Sequence, residues 1–242
     1  MTDRSIPSAS RPSRARVVKR AAFAAAGLVA AALLLLAFKR RPPAPGSVEI
    51  RTPREIEFTA SVNARPFTSG WMMPGYHAIV WKGGRAAHFA LLQADVTDTQ
   101  ILDALESLGA RPGNNLTMEA WDKREDPKNP APDTVIAGPP VEILLRLPGR
   151  AELVPFASVL SDSGARGLEM RFGGNRINIP KWKSGCVVCL YSCPGSKVGN
   201  ARYTVRDYAR EATRFRVREG ALPADGTPVG VVFRLPQGTT HA

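Results

Sequence analysis

The strongest constraint on this chain is an uninterrupted apolar run near its start. Ala21–Phe38 reads AAFAAAGLVAAALLLLAF without a charge, and as an α-helix it would be roughly 27 Å long, enough to cross the hydrocarbon layer of a bilayer. Arg14, Arg16, Lys19 and Arg20 precede it and Lys39, Arg40 and Arg41 follow, where long cationic side chains reach the headgroups. No polar face interrupts the run, which argues against a helix lying in the interface. Ala44-Pro45-Gly46 is a poor cleavage site and no cysteine follows to accept a lipid, so the segment is expected to remain as a signal-anchor. Six cationic residues before the run against three directly after it place the N-terminus in the cytoplasm by a modest bias.

The expected organisation follows: a basic tail over 1–20, a transmembrane anchor over 21–38, a Pro-rich linker over 39–47, one globular domain over 48–236 and a short tail over 237–242. The expected location is the bacterial inner membrane, single-pass, with the globular domain periplasmic or otherwise extracytoplasmic.

The net charge of +12 suggests nucleic acid until it is divided along the chain. Residues 1–41 hold nine Lys/Arg and one Asp, a net of +8, which leaves +4 for the remaining 201 residues. That is too little to argue for binding a phosphate backbone, and no nucleic-acid partner is expected. Within the remainder, residues 42–170 carry 12 basic and 16 acidic groups and residues 171–242 carry 12 and 4. The basic 171–220 region could face an acidic protein or an anionic lipid surface, or be a solvated face of strands.

Period-two alternation marks a strand over Glu55–Asn63, with Ile56, Phe58, Ala60 and Val62 on one face. Tyr76–Trp81 and Ala86–Leu92 read as a hairpin joined through Lys82-Gly83-Gly84-Arg85. One clear helix spans Asp98–Leu108: Thr97 and Gln100 have capping-box spacing, and Ile101, Leu102, Leu105 and Leu108 form an apolar stripe. Residues 122–140 read as a charged, Pro-rich loop. Val141–Leu147 and Glu152–Phe156 form an antiparallel pair about Pro148-Gly149-Arg150. Further strands are expected at Leu168–Phe172, Arg176–Ile179, Val187–Tyr191, Arg202–Val205, Arg214–Arg218 and Val229–Leu235. The fold class predicted is α+β, mainly antiparallel β with one clear helix, behind a single N-terminal transmembrane helix.

The segment GYHAIVWKGGRAAHFALLQADVTDTQILDALESLGARPG carries Gly83, Gly84, His88, Leu91, Leu92, Leu108, Gly109, Ala110, Pro112 and Gly113 in an order that resembles the YdjY domain family. The closing LPADGTPVGVVFRL is similar to that family's last turn and strand, so the likeness covers roughly 48–236. The resemblance implies a single-domain envelope protein and brings no reaction with it. Some members have been called ferredoxin-like, which directs attention to the cysteines.

Cys186, Cys189 and Cys193 are the only cysteines, spaced C-x2-C-x3-C and followed by Pro194. They match the last three ligands of a bacterial ferredoxin run, with Lys183 where the first would stand. A fourth ligand would have to come from His77 or His88, and His88 carries the family resemblance. An iron–sulfur cluster or a zinc ion at Cys186, Cys189, Cys193 and His88 is one reading, and no cofactor at all is another. Strand-like neighbours weigh against a shared ion, because residues three apart on a regular strand point to opposite faces. An oxidising envelope allows a Cys189–Cys193 disulfide instead, or three buried thiols. No nucleophile elbow, phosphate-cradling loop or carboxylate pair points to catalysis, and no catalytic residue is assigned. The function expected is a non-enzymatic binding or accessory protein, with a redox accessory role through the three cysteines as the alternative.

Overall fold

The computed structural model describes residues 42–69, 73–126, 128 and 133–238. The basic tail and the expected anchor lie outside them, and no helix among the described residues is long and apolar enough to cross a membrane. The described residues form one compact unit.

Twelve strands are described: β1 (Glu49–Thr52), β2 (Glu55–Val62), β3 (His77–Trp81), β4 (Leu92–Ala94), β5 (Glu142–Arg146), β6 (Val154–Pro155), β7 (Leu160–Asp162), β8 (Met170–Phe172), β9 (Cys186–Cys189), β10 (Val198–Asn200), β11 (Phe215–Val217) and β12 (Pro228–Arg234). Ten of them form one mixed sheet in the order β6-β5-β12-β2-β4-β3-β9-β10-β8, with β1 also paired to β2. β7 and β11 make a separate antiparallel pair. Pairing is antiparallel except at β3–β4 and β9–β10. The helices are short: α1 (Ala64–Ser69), α2 (Asp98–Ser107), α3 (Met118–Asp122), α4 (Ile179–Trp182) and α5 (Val205–Ala209). An α+β fold dominated by strands agrees with the sequence pattern.

β2 and β12 form the middle of the sheet, in register from Pro228↔Ser61 to Arg234↔Glu55. Their inward residues include Phe58 and Phe233, whose rings meet edge to face at 5.3 Å. Both faces of β2 are covered, because Glu57 on the second face is as buried as Phe58. Its carboxylate is held by Arg51 Nε at 2.8 Å and Arg146 Nε at 2.8 Å, the pairing a buried charge requires. α2 begins with the expected reciprocal cap, Thr97 Oγ1 accepting from Gln100 N and Gln100 Oε1 accepting from Thr97 N.

Three expectations fail. Ala86–Leu92 is not the second arm of a hairpin: Ala87–Phe89 is a 3-10 turn, and the chain crosses over so that β4 runs parallel to β3. Gly83 and Gly84 therefore serve close approach rather than a positive-φ turn, since neither has positive φ. A Cβ on Gly84 would lie 2.2 Å from Ser184 O and 2.6 Å from Gly185 Cα. Arg176–Ile179 is not a strand but a 3-10 turn, Arg176–Asn178, leading into α4. Asn175 enters it with φ 52°, which breaks extended backbone. Arg202–Val205 is likewise no strand. Thr204 caps α5 through a reciprocal pair with Asp207, and two satisfied backbone donors outweigh the β preference of Tyr-Thr-Val.

Candidate metal centre

β9 contributes Cys186 and Cys189 at its two ends, and β3 begins at His77 beside it. The pairing of these strands is irregular: His77 faces Cys189, Ile79 faces Val188 and Val80 faces Cys186, with register shifts at both steps. Between Val80 and Ile79 the partner strand advances two residues, so Val187 is extra and the alternation of side chains is interrupted. One ligand atom from each of His77, Cys186 and Cys189 consequently lies within 4.8 Å of the others. The strand-alternation argument against a shared site is overturned by this bulge.

All three cysteines are buried free thiols. Cys193 sits just past β9 on the Pro194-Gly195 turn, where Gly195 N–H donates to its sulfur at 3.4 Å and Ser196 Oγ donates to its carbonyl at 2.7 Å. Its thiol is near enough to Cys189 and to the Tyr76 hydroxyl for each to act on the others' acidity. Cys189 Sγ itself donates to Tyr76 O at 3.6 Å.

His77 is the other half of the site. Its ring packs edge to face on Tyr76 at 4.9 Å, and its Nδ1 is buried with no hydrogen-bond partner. A buried polar atom left unpaired costs about 1–3 kcal/mol, a cost that a cation at this point would remove. The Tyr76 hydroxyl is also buried without a partner of ordinary geometry. His88, favoured on the family resemblance, is not brought to the cysteines. It is exposed on the Ala87–Phe89 turn and its ring rests against Phe89 at 5.2 Å. The one signal that separated the two histidines is position: His77 stands at the head of an apolar strand, and His88 lies between small residues and Phe89.

The three thiols differ in acidity. Cys186 is pulled below the ordinary thiol value by hydrogen bonding with Cys189, then by His77 and by the charge of Lys197, against the effect of burial. Burial pushes Cys189 well above it. Burial also opposes ionisation of Cys193, but hydrogen bonds from Cys189, Tyr76 and Gly195 leave it lowered. Lys197 is only 1% exposed. Its Nζ donates to Gly195 O at 2.9 Å and lies 3.6 Å from Asp98 Oδ2, and burial lowers its pKa.

A single tetrahedral ion bound by thiolate at about 2.3 Å and imidazole at about 2.0 Å holds its ligand atoms roughly 3.5–3.8 Å apart. With all of its ligand atoms inside 4.8 Å, the group needs to contract by at most about 1 Å to reach that geometry. A four-iron cluster attaches each ligand to a different iron and needs a wider set. Among the described residues the geometry therefore fits one soft or borderline ion better than a cluster.

The sequence profile of the YdjY domain matches residues 51–234. The chain belongs to the YdjY domain family. The span takes in all of β2 to β12 and every residue of the site. The Escherichia coli K12 protein described as uncharacterized protein YdjY is 35% identical over 162 residues, covering 66% of this chain and 68% of that one. No solved structure matches. The YdjY domain's family brings no activity with it, so the chemistry must be argued from His77, Cys186, Cys189 and Cys193 themselves.

Proposed function

We propose that this protein is a membrane-tethered accessory protein of the bacterial envelope whose YdjY domain holds one Zn²⁺-class ion. The observation that carries the reading is the convergence of His77, Cys186 and Cys189 within 4.8 Å, with Nδ1 of the histidine buried and unpartnered. Cys193 lies outside that converged group, beside Cys189 and the Tyr76 hydroxyl, and is the candidate for a fourth ligand. With it bound, four protein ligands would leave no open position for a reacting water, which is the pattern of an ion that holds structure rather than one that catalyses hydrolysis. The donor set is soft, which favours zinc or monovalent copper over magnesium or calcium. Binding displaces the thiol protons still present and joins β3 to β9 and its following turn, so part of the domain's stability would depend on the metal.

The tether is supported by the apolar run Ala21–Phe38 and its flanking charges. The basic 171–220 region is the surface offered to anionic headgroups or an acidic partner. Several of its cations are paired locally, among them Arg171 with Glu169, Arg176 with Asp103 and Glu106, and Arg214 with Glu211. That leaves less free charge than the sequence count implies.

The test is the full chain purified anaerobically and analysed for metal. The expected result is one equivalent of zinc per chain, no visible absorption, and loss of the metal in Cys186→Ser and Cys189→Ser. Stoichiometric iron and sulfide with a visible band would overturn the single-ion reading, as would failure to bind added zinc. Reporter fusions after Phe38 and at the C-terminus test the tether. Activity only from cytoplasmic reporters would overturn the extracytoplasmic placement.

A further inference from the structure

A pocket of about 270 Å³ opens in front of His77, lined by Met73, Tyr76, Trp121 and Trp182 and bordered by Arg85 and Ser184. Its volume is near the small end of ligand sites, the size for a one- or two-ring molecule. The aromatic wall is held rigidly. Trp121 and Trp182 meet edge to face at 5.1 Å, the Arg124 guanidinium lies 3.9 Å from the Trp121 ring centre, and Trp182 lies on Gly195, where a Cβ would come within 2.2 Å of the indole. A fixed aromatic surface is what a planar ligand needs, because little side-chain entropy is lost on binding.

The rim decides the ligand's charge. Arg85 is exposed, and no ion pair with it is found among the described residues. Its backbone N–H donates to Lys183 O at 3.0 Å, which fixes the chain at that edge of the pocket. One cation at the mouth of an otherwise apolar, aromatic pocket complements an anion attached to a ring, and guanidinium is the group best shaped to take a carboxylate on two parallel hydrogen bonds.

We infer that this pocket binds a small aromatic carboxylate, with its ring against the Trp121–Trp182 wall and its carboxylate on Arg85. The inference goes beyond the metal reading. His77 borders both sites, but neither Arg85 nor the two tryptophans belong to the ion's ligands, so variants at those three positions test the pocket without removing a ligand of the ion.

Naphthalene-1-carboxylate serves as the probe and naphthalene-1-methanol as its uncharged counterpart, each titrated calorimetrically into the full chain in lipid nanodiscs. The carboxylate is expected to bind saturably and more tightly than the alcohol. Arg85→Gln should weaken the carboxylate about tenfold or more, as loss of a charge-assisted pair does, and leave the alcohol unchanged. Arg85 is at the surface, so this variant keeps its fold. Trp182→Leu should weaken both probes, and its circular dichroism shows whether the fold is retained. Absence of saturable binding by either probe overturns the site. Indifference of the carboxylate to Arg85→Gln overturns the assignment of the anion.

Discussion

Replacing His77 with leucine separates a metal ligand from a packed core histidine, because the two roles predict opposite dependence on metal. Structural zinc sites with four protein ligands bind with about 10–16 kcal/mol, so one donor in four contributes on the order of 3–4 kcal/mol, or about two to three decades in affinity. Set free zinc by a chelator buffer at about 100 times the wild-type dissociation constant. The wild type then gains about 2.7 kcal/mol, which for a unit of about 200 residues raises Tm by about 5–11 °C. At the same free zinc the leucine variant sits near or below half-saturation and gains at most about 0.4 kcal/mol, a shift of about 1 °C. Without metal the order should narrow or reverse, because leucine removes a buried ring nitrogen that has no partner in the folded protein. Differential scanning calorimetry with and without chelator reads both numbers. An equal zinc-dependent rise in the two proteins would refute the reasoning and return His77 to the core.

Three further outcomes are expected. Gly84→Ala forces a Cβ to within 2.2 Å of Ser184 O, parting the β3 end from the segment that leads into β9. It should cost about 1–3 kcal/mol and lower metal retention, read by thermal melting and metal analysis. Glu57→Gln leaves Arg51 and Arg146 facing a neutral buried group. It should destabilise by about 3 kcal/mol or more in chemical denaturation, and a change below about 0.5 kcal/mol would show that the triad contributes nothing net. Asp162 is held below the usual carboxylate value: burial works against it, but hydrogen bonds from Thr213, Gly167 N–H, Tyr203 and Gly164 N–H prevail. Its contribution is present above the unfolded value of 3.8 and is lost as pH falls through the lower folded value. Asp162→Asn should therefore lose about 1–2 kcal/mol at neutral pH and lose less than the wild type on acidification below about pH 4, measured by urea melts across pH.

Local signals were legible where several agreed. α2 has its cap, its apolar stripe and its terminating glycine within fifteen residues, and β2 alternates apolar and polar residues along its eight positions. Short apolar triads were not legible. Arg176–Ile179 and Arg202–Val205 satisfy strand propensity as well as a helical turn does, and only Asn175 at positive φ and the Thr204–Asp207 cap decide between them. The glycine pair at 83–84 has the composition of a hairpin turn, yet it serves to let the Ser184–Gly185 backbone pass. Nothing near residue 84 encodes that neighbour a hundred positions away.

The candidate site divides in the same way. The spacing of Cys186, Cys189 and Cys193, the apolar strand around them and the charge asymmetry of the chain are properties of the sequence alone. Whether Cys186 and Cys189 meet, and which histidine joins them, are not. A regular strand would send the two sulfurs to opposite faces. The extra residue Val187 that brings them together exists only because β9 is paired to β3 with shifted register. His77 enters the site because it stands opposite Cys189 in that pairing, while His88 is carried out to solvent on the 3-10 turn that replaces the expected hairpin arm. Pairing register is a contact between distant segments, so it was left to the tertiary structure to make a cluster out of a cysteine spacing.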